Sequence, residues 1–342
     1  MRGAYILAGV LCSLAGIAQA RPVTDGAGRQ VSIPVKVERV YAAGPPASML
    51  VFAIAPDKLI GWTRAFRPDE AAFIAPKYGA LPELGRLTGR GNTANVEVLL
   101  RERTDLVVDA GSTAETYVSL ANRVQQQTGI PYLLLDGRLD AVPDSLRVLG
   151  KALGEEERGS MLAEYVENAL RDIKGRVSRT KPEERPRVYY GRGPAGLQTG
   201  LAGSINVELL EYLGARNVAA ETKGGLANVS LEQVLAWNPE VILTTDPNFY
   251  AAVWKDERWR NVAAVRAKRV HLAPHLPFGW FDFPPGANRI LGLYWAGLLL
   301  YPGAFPADLR PRIVEFHRLF YHQAPTAAQL EALLGEPGVL PK

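Results

Sequence analysis

The sequence has a single cysteine, Cys12, and it falls within an N-terminal apolar run that reads as a removable leader. A mature chain without it has no disulfide framework, no thiolate metal site and no cysteine nucleophile. Histidine is also scarce, with four in 342 residues, and H-E-x-x-H, G-x-S-x-G and a Walker lysine are missing. No hydrolytic or nucleotide-cleaving motif is therefore offered, and binding without chemistry is the simpler reading. Charge of one sign is not in excess either: the formal net charge is +4, and Lys and Arg are scattered among Asp and Glu. Without a basic stripe, a nucleic-acid partner has no support. What is present is 47% hydrophobic content without low-complexity tracts, enough to bury a large core in a soluble protein of two lobes.

Residues 1–20, "MRGAYILAGVLCSLAGIAQA", carry one positive charge at Arg2, an apolar run, and Ala18-Gln19-Ala20, the small-x-small pattern of a cleavage site. This predicts a cleavable secretory signal peptide. Ser13, Gly16 and Gln19 interrupt the run, which is too short to span a membrane. A lipoprotein anchor at Cys12 fits less well, because Leu11 is bulkier than the small residue expected before it. Export without disulfides points to a bacterial periplasm.

The chain repeats itself. "NVEVLLRERTDLVVDAG" (95–111) aligns without a gap on "SLEQVLAWNPEVILTTD" (230–246), so that Glu97 falls on Glu232, Leu100 on Leu235 and Asp105 on Glu240. In each copy Asn95 or Ser230 supplies a helix N-cap, a short amphipathic helix follows, and an apolar run after a turn makes a buried parallel strand. A looser echo pairs "ERVYAAGPP" (38–46) with "PRVYYGRGP" (186–194), each a strand running into a Gly-Pro loop. Two α/β lobes of similar construction follow. Between them, from Pro143 to about Arg179, apolar residues recur at three-to-four spacing, which predicts a long helical stretch broken near Gly154. The expected organisation is a leader over 1–20, an N-terminal lobe over 21–142, a bridging helix over 143–180, and a C-terminal lobe with C-terminal helices over 181–342. A helical bridge is stiff, so large hinge closure is disfavoured.

The opening "VTDGAGRQVSIPVKVERVYAAGPPASMLVFAIAPDKLIGW" (23–62), the two repeated units and the bridging helix together resemble the periplasmic binding proteins of iron-siderophore, haem and cobalamin ABC importers. The resemblance covers about residues 22–335. It implies two Rossmann-like α/β lobes joined by a long helix, with a ligand cleft between them, no cofactor, a monomeric state, and an ABC permease as partner. It also implies that one acidic residue on each lobe docks on the permease, a role that falls on Glu97 and Glu232. Without it, both read as surface glutamates favourable to a helix N-terminus.

In "YYGRGPAGLQTG" (189–200), Gly191, Gly193 and Gly196 have the G-x-G-x-x-G spacing. Pro194 interrupts the motif and further glycines follow, so no helix starts where a pyrophosphate would need one. The stretch reads instead as a ligand-facing loop at the carboxyl end of a strand, with Tyr190 and Arg192 beside the cleft and Arg192 facing an anionic ligand. By the same logic Ser48, after the Gly44-Pro45-Pro46 loop, Trp62 and Arg64 after "KLIG", and Ser112 after the repeated strand are cleft candidates. Trp62 reads equally well as a core aromatic.

Phe278, Trp280, Phe281 and Phe283 lie within six residues among Pro and Gly, with no regular periodicity. An aromatic loop suits a large, partly apolar chelate, and Trp280 and Phe281 are expected at the cleft wall. His275 is a weak metal-ligand candidate, since no second ligand stands at a suitable spacing. Arg289 is expected to pair with Asp282, and Glu208 and Glu211 to lie on an exposed helix face. The expected ligand is a metal chelate, an iron-siderophore first. Haem, cobalamin, a nickel chelate or an oxyanion such as molybdate or tungstate would suit the same fold. A periplasmic α/β enzyme or sensor is the outside alternative, which a Ser/His/carboxylate constellation in the cleft would favour.

Overall fold

The computed structural model describes residues 20–89 and 93–340, so the expected leader, apart from Ala20, lies outside the described residues. A short antiparallel hairpin, β1 (Ala20–Thr24) and β2 (Gln30–Pro34), precedes the first lobe. That lobe is built on a parallel sheet of β3 (Val40–Ala42), β4 (Leu106–Gly111) and β5 (Tyr132–Asp136), in that order. Helices α1 (Pro45–Ile54), α2 (Val96–Arg101) and α3 (Glu115–Thr128) pack around it. Leu106, Val107 and Val108 are all buried, as a strand covered on both faces requires.

Two helices then carry the chain across. α4 (Val142–Leu153) stops at Gly154, whose φ of +71° is the left-handed conformation in which helices commonly end. α5 (Glu156–Val177) follows, 22 residues and roughly 33 Å long at 1.5 Å per residue. Leu162, Val166, Ala169, Leu170 and Ile173 form its buried stripe at helical spacing.

The second lobe holds a parallel sheet in which Val270–Leu272, Val241–Thr244, Arg187–Gly191 and Arg216–Asn217 lie side by side in that order. Its strands are β6 (Arg187–Gly191), β8 (Arg216–Asn217), β10 (Val241–Thr244) and β11 (Val270–Leu272). A small antiparallel pair, β7 (Gln198–Gly200) and β9 (Leu226–Asn228), lies beside it. Helices α6 (Glu208–Tyr212), α7 (Leu231–Trp237), α8 (Arg289–Leu300) and α9 (Arg310–Phe320) complete the elements used below.

The internal repeat is visible as structure. Asn95 Oδ1 accepts from the Glu97 amide at 3.0 Å, and Ser230 Oγ accepts from the Gln233 amide at 3.2 Å, so each copy starts a helix with a side-chain cap. The strands that follow, β4 and β10, each lie inside their sheet with a neighbour on both sides.

One continuous apolar core runs from the first sheet through α4 and α5 into the second lobe, including Val40, Leu106, Leu146, Leu162, Ile173, Val188, Leu243 and Ile290. The C-terminal segment returns to the first lobe: α9 packs on α1, and Gln323 Nε2 donates to the Phe73 carbonyl at 2.8 Å. The molecule is thus an α/β protein of two parallel-sheet lobes with a helical bridge.

Candidate ligand cleft

In open parallel sheets the carboxyl ends of the strands face the ligand crevice. Here those ends carry Gly44 and the start of α1 after β3, Ser112 after β4, Arg192 after β6, Thr245 after β10 and the irregular stretch 273–288 after β11. The G-x-G-x-x-G stretch is a hairpin. Arg192 and Gln198 exchange backbone hydrogen bonds of 2.7 and 3.1 Å, turning β6 into β7, and the next helix, α6, begins only at Glu208. Gly196 has φ +67°, and a Cβ there would lie 2.3 Å from the Phe249 ring. These glycines serve a tight turn against an aromatic ring, not a pyrophosphate.

At this turn four donors converge on one carboxylate. Asp282 Oδ2 accepts from Arg192 Nε and from the Tyr190 hydroxyl, both at 3.0 Å. Oδ1 accepts from Asn206 Nδ2 at 2.9 Å and from the Phe283 amide at 2.8 Å. The Tyr190 hydroxyl in turn accepts from Thr245 Oγ1 at 3.0 Å, and Arg192 Nη1 donates to Gln198 Oε1. Burial and the Asp282 charge push the Tyr190 phenol well above its usual range, so it remains a donor. Arg192 and Asp282 are 6% and 1% exposed, making this a buried, internally neutralised pair. Phe283 covers it: the guanidinium lies 3.9 Å from the ring centroid, while Phe283 itself is 56% exposed. Phe283 also has φ +59°, a left-handed conformation costly for a residue with a bulky side chain. Gly279 permits the turn, since a Cβ there would lie 1.8 Å from the Asp282 carbonyl oxygen.

The other sequence candidates divide by exposure. Ser112 is exposed and Arg64 half-exposed, although Arg64 holds Glu70 with two 2.7 Å bonds, and Glu70 is buried. Ser48 is buried and turns its hydroxyl back to the Pro45 carbonyl at 2.8 Å. Trp62 is buried, donates to the Tyr78 carbonyl at 2.8 Å, and packs on Phe52 and Phe66. Tyr190, expected beside the cleft, and Trp280 and Phe281, expected at its wall, have no exposed surface; Phe281 packs on Tyr190 at 4.7 Å. Phe278 meets Trp62 and Phe66 of the first lobe, Trp280 and Phe281 are buried in the core, and of the four clustered aromatics Phe283 alone is exposed.

His275 Nδ1 lies 3.6 Å from Glu336 Oε2, and among the described residues no three His, Cys, Asp or Glu side chains gather at metal-binding distance. Glu97 and Glu232 are both exposed in the first turn of their helices. In the first lobe Asp109 is buried with Thr88 Oγ1 at 3.0 Å and the Tyr132 hydroxyl at 3.1 Å, and burial raises its pKa.

One expected pairing and one expected exposure are corrected. Arg289 does not pair with Asp282. Fully buried, it donates to Glu208 Oε2 at 2.7 Å and to the Gly137 carbonyl of the first lobe. Glu208 is accordingly a partly buried bridging group rather than a member of an exposed face, and its Oε1 accepts from the Leu139 amide at 3.0 Å. Sequence reasoning also missed Asn206, Gln198 and Thr245. Asp282 could have been flagged as the lone acid inside the aromatic run.

Residues 58–275 match the family model described as periplasmic binding protein. The chain is similar to the molybdate-binding protein MolA of Haemophilus influenzae, 26% identical over 92% of this chain and 95% of that one. It is also 26% identical to a vitamin B12-binding protein of Vibrio parahaemolyticus, over 65% of this chain and 77% of the relative. Among solved structures, an ABC transporter solute binding protein from Sulfurospirillum deleyianum superposes with a TM-score of 0.83 at 28% identity, covering 92% of this chain and 99% of that one. No described helix is long and apolar enough to cross a membrane. The matched family, the two-lobed fold and the loops gathered at the carboxyl ends of both sheets lead to one conclusion: the chain belongs to the periplasmic binding protein family, whose members capture solutes for ABC importers, and it is a binding protein rather than an enzyme.

Proposed function

We propose that this protein captures a metal chelate, with a ferric siderophore as the class that fits best, and hands it to the permease of an ABC importer. The observation that carries this reading is the exposed Phe283 ring stacked on Arg192, whose charge is already balanced by Asp282. Such a surface offers an aromatic face and hydrogen-bond donors with little net charge, which suits a large, partly apolar complex better than a small, highly charged ion. The half-exposed Arg64 is likewise balanced, by Glu70. Ser112, Arg64 and Phe283, with Arg192 beneath the Phe283 ring, form the proposed contact set, while Tyr190, Trp280 and Phe281 support the loop from behind. Delivery would use Glu97 and Glu232 as docking charges, and export would use the leader over residues 1–20.

The similarity to a molybdate-binding protein along 92% of this chain favours a second reading, an oxyanion ligand. One experiment separates them. The mature protein is titrated, with tryptophan fluorescence as readout, against ferric catecholate and hydroxamate siderophores, haemin, cobalamin, nickel-histidine and molybdate. Each titration is repeated on Arg192→Ala and Phe283→Ala. Saturable quenching by one chelate, weakened in both variants, supports the proposal. Saturation by molybdate alone overturns it in favour of the second reading.

A further inference from the structure

The chain supplies its own anion, the Asp282 carboxylate, to a convergent set of donors. The donors around the Asp282 carboxylate come from separate parts of the second lobe: Tyr190 at the end of β6, Arg192 in the following turn, Asn206 before α6, and the Phe283 amide in the 273–288 stretch. One guanidinium, one phenol, one carboxamide and one amide directed at two oxygens make up the kind of donor set that holds a carboxylate or a tetrahedral oxyanion. Asp282 is tethered, so its effective concentration at the cradle far exceeds that of a solute in free solution. Phe283 lies across the cradle, and its unfavourable backbone conformation is held by the loop that delivers Asp282.

We infer that Asp282 is a specificity-determining residue: its carboxylate occupies an oxyanion cradle built from Tyr190, Arg192 and Asn206 and so turns the cleft away from small oxyanions. This rests on the reading of the ligand as a chelate and deepens it, by explaining how a site with an arginine beneath its aromatic face discriminates against sulfate, phosphate or molybdate. The selection acts by prior occupancy of the donors together with like-charge repulsion.

The test empties the cradle. Thermal unfolding of wild type and Asp282→Ala is followed in chloride, formate, sulfate and molybdate at matched ionic strength, and molybdate and formate binding are measured by calorimetry. Removal of the carboxylate leaves an uncompensated Arg192 and a carboxylate-sized space, so the variant melts below wild type in chloride. The expected result is that formate restores its melting temperature progressively, as a ligand that binds only the folded state does. Wild type is expected to show only the general, non-saturating effect that these salts have on any folded protein. The variant is expected to bind molybdate or formate at least about tenfold tighter than wild type. The double variant Arg192→Gln/Asp282→Ala loses that gain.

Equal anion responses in wild type and Asp282→Ala overturn the inference. If Asp282→Ala is insoluble in every salt, wild type decides. Molybdate binding with a dissociation constant below about 1 μM that Arg192→Gln abolishes overturns the inference, and indifference to molybdate sustains it. Failure of the chelate reading appears elsewhere, as silence of wild type toward every chelate, and leaves the anion comparison intact.

Discussion

Arg289 and Glu208 form a buried ion pair of 2.7 Å that also holds the two lobes together, because Arg289 donates to the Gly137 carbonyl and Glu208 accepts from the Leu139 amide across the junction. The bridging helix is therefore not the sole connection. A continuous core and a charged strut join the same surfaces, and Phe278 adds an aromatic contact to Trp62 and Phe66. In this arrangement a rotation of one lobe against the other has to break these contacts.

Breaking the strut on one side should be costly. Glu208→Gln leaves a fully buried guanidinium without its counter-charge, an effect of about 3–5 kcal/mol. The expected fall in melting temperature is roughly 5–10 °C for a chain of this size. The double replacement Arg289→Met/Glu208→Met should lose less than Glu208→Gln, since no charge is stranded. Calorimetric melts of the three proteins decide it, and equal losses would mean that the pair contributes only packing.

The Phe283 ring and its backbone make opposing contributions. Phe283→Gly relieves a left-handed φ of +59° while removing a cation–π contact worth about 0.5–1 kcal/mol. Stability should stay within about 1 kcal/mol of wild type, whereas affinity for the chelate falls. Denaturant midpoints beside ligand titrations separate the two effects. A matched loss of both would make Phe283 structural rather than ligand-facing.

How far all this was legible depends on the range of the interaction. The repeated helix–strand units were readable because caps and apolar runs are local: Asn95 and Ser230 stand at the start of their helices in the sequence as in the structure. The break at Gly154 was local too. Nearness along the chain points Arg289 to Asp282, seven positions away. The actual partner is Glu208, 81 positions earlier, while Asp282 meets Arg192 across 90. The aromatic run misled for a different reason. Lack of periodicity was read as exposure, but an irregular segment wedged between two lobes is buried on several sides, so Phe278, Trp280 and Phe281 are covered and only Phe283 is not.

Charge reversal at the proposed docking points should separate binding from transport. Glu97 and Glu232 are exposed, so Glu97→Arg/Glu232→Arg should leave stability nearly unchanged and ligand affinity unaltered. Uptake by cells carrying the cognate permease should drop, because matched charges steer and orient association. Unchanged uptake would remove these glutamates from the docking surface.

Two buried histidines make stability depend on pH in a defined window. Burial, assisted at His271 by the nearby Arg269 charge, lowers the pKa of His271 and His317 from 6.5 to about 4. Above about pH 6.5 both are neutral whether folded or unfolded, and neither contributes a slope. Between about pH 6.5 and 4 the unfolded chain binds protons that the folded chain does not, so stability falls as pH falls, by up to about 3 kcal/mol per histidine. His317 is the cleaner probe: its Nε2 is buried without a partner among the described residues, and the ring packs beside Phe73 and Tyr321. His317→Phe should therefore be tolerated at pH 7.5 and should be more stable than wild type at pH 5. Urea midpoints of the two proteins at both pH values give the answer; a difference that does not change with pH would show that His317 is already protonated in the folded protein or titrates equally when unfolded.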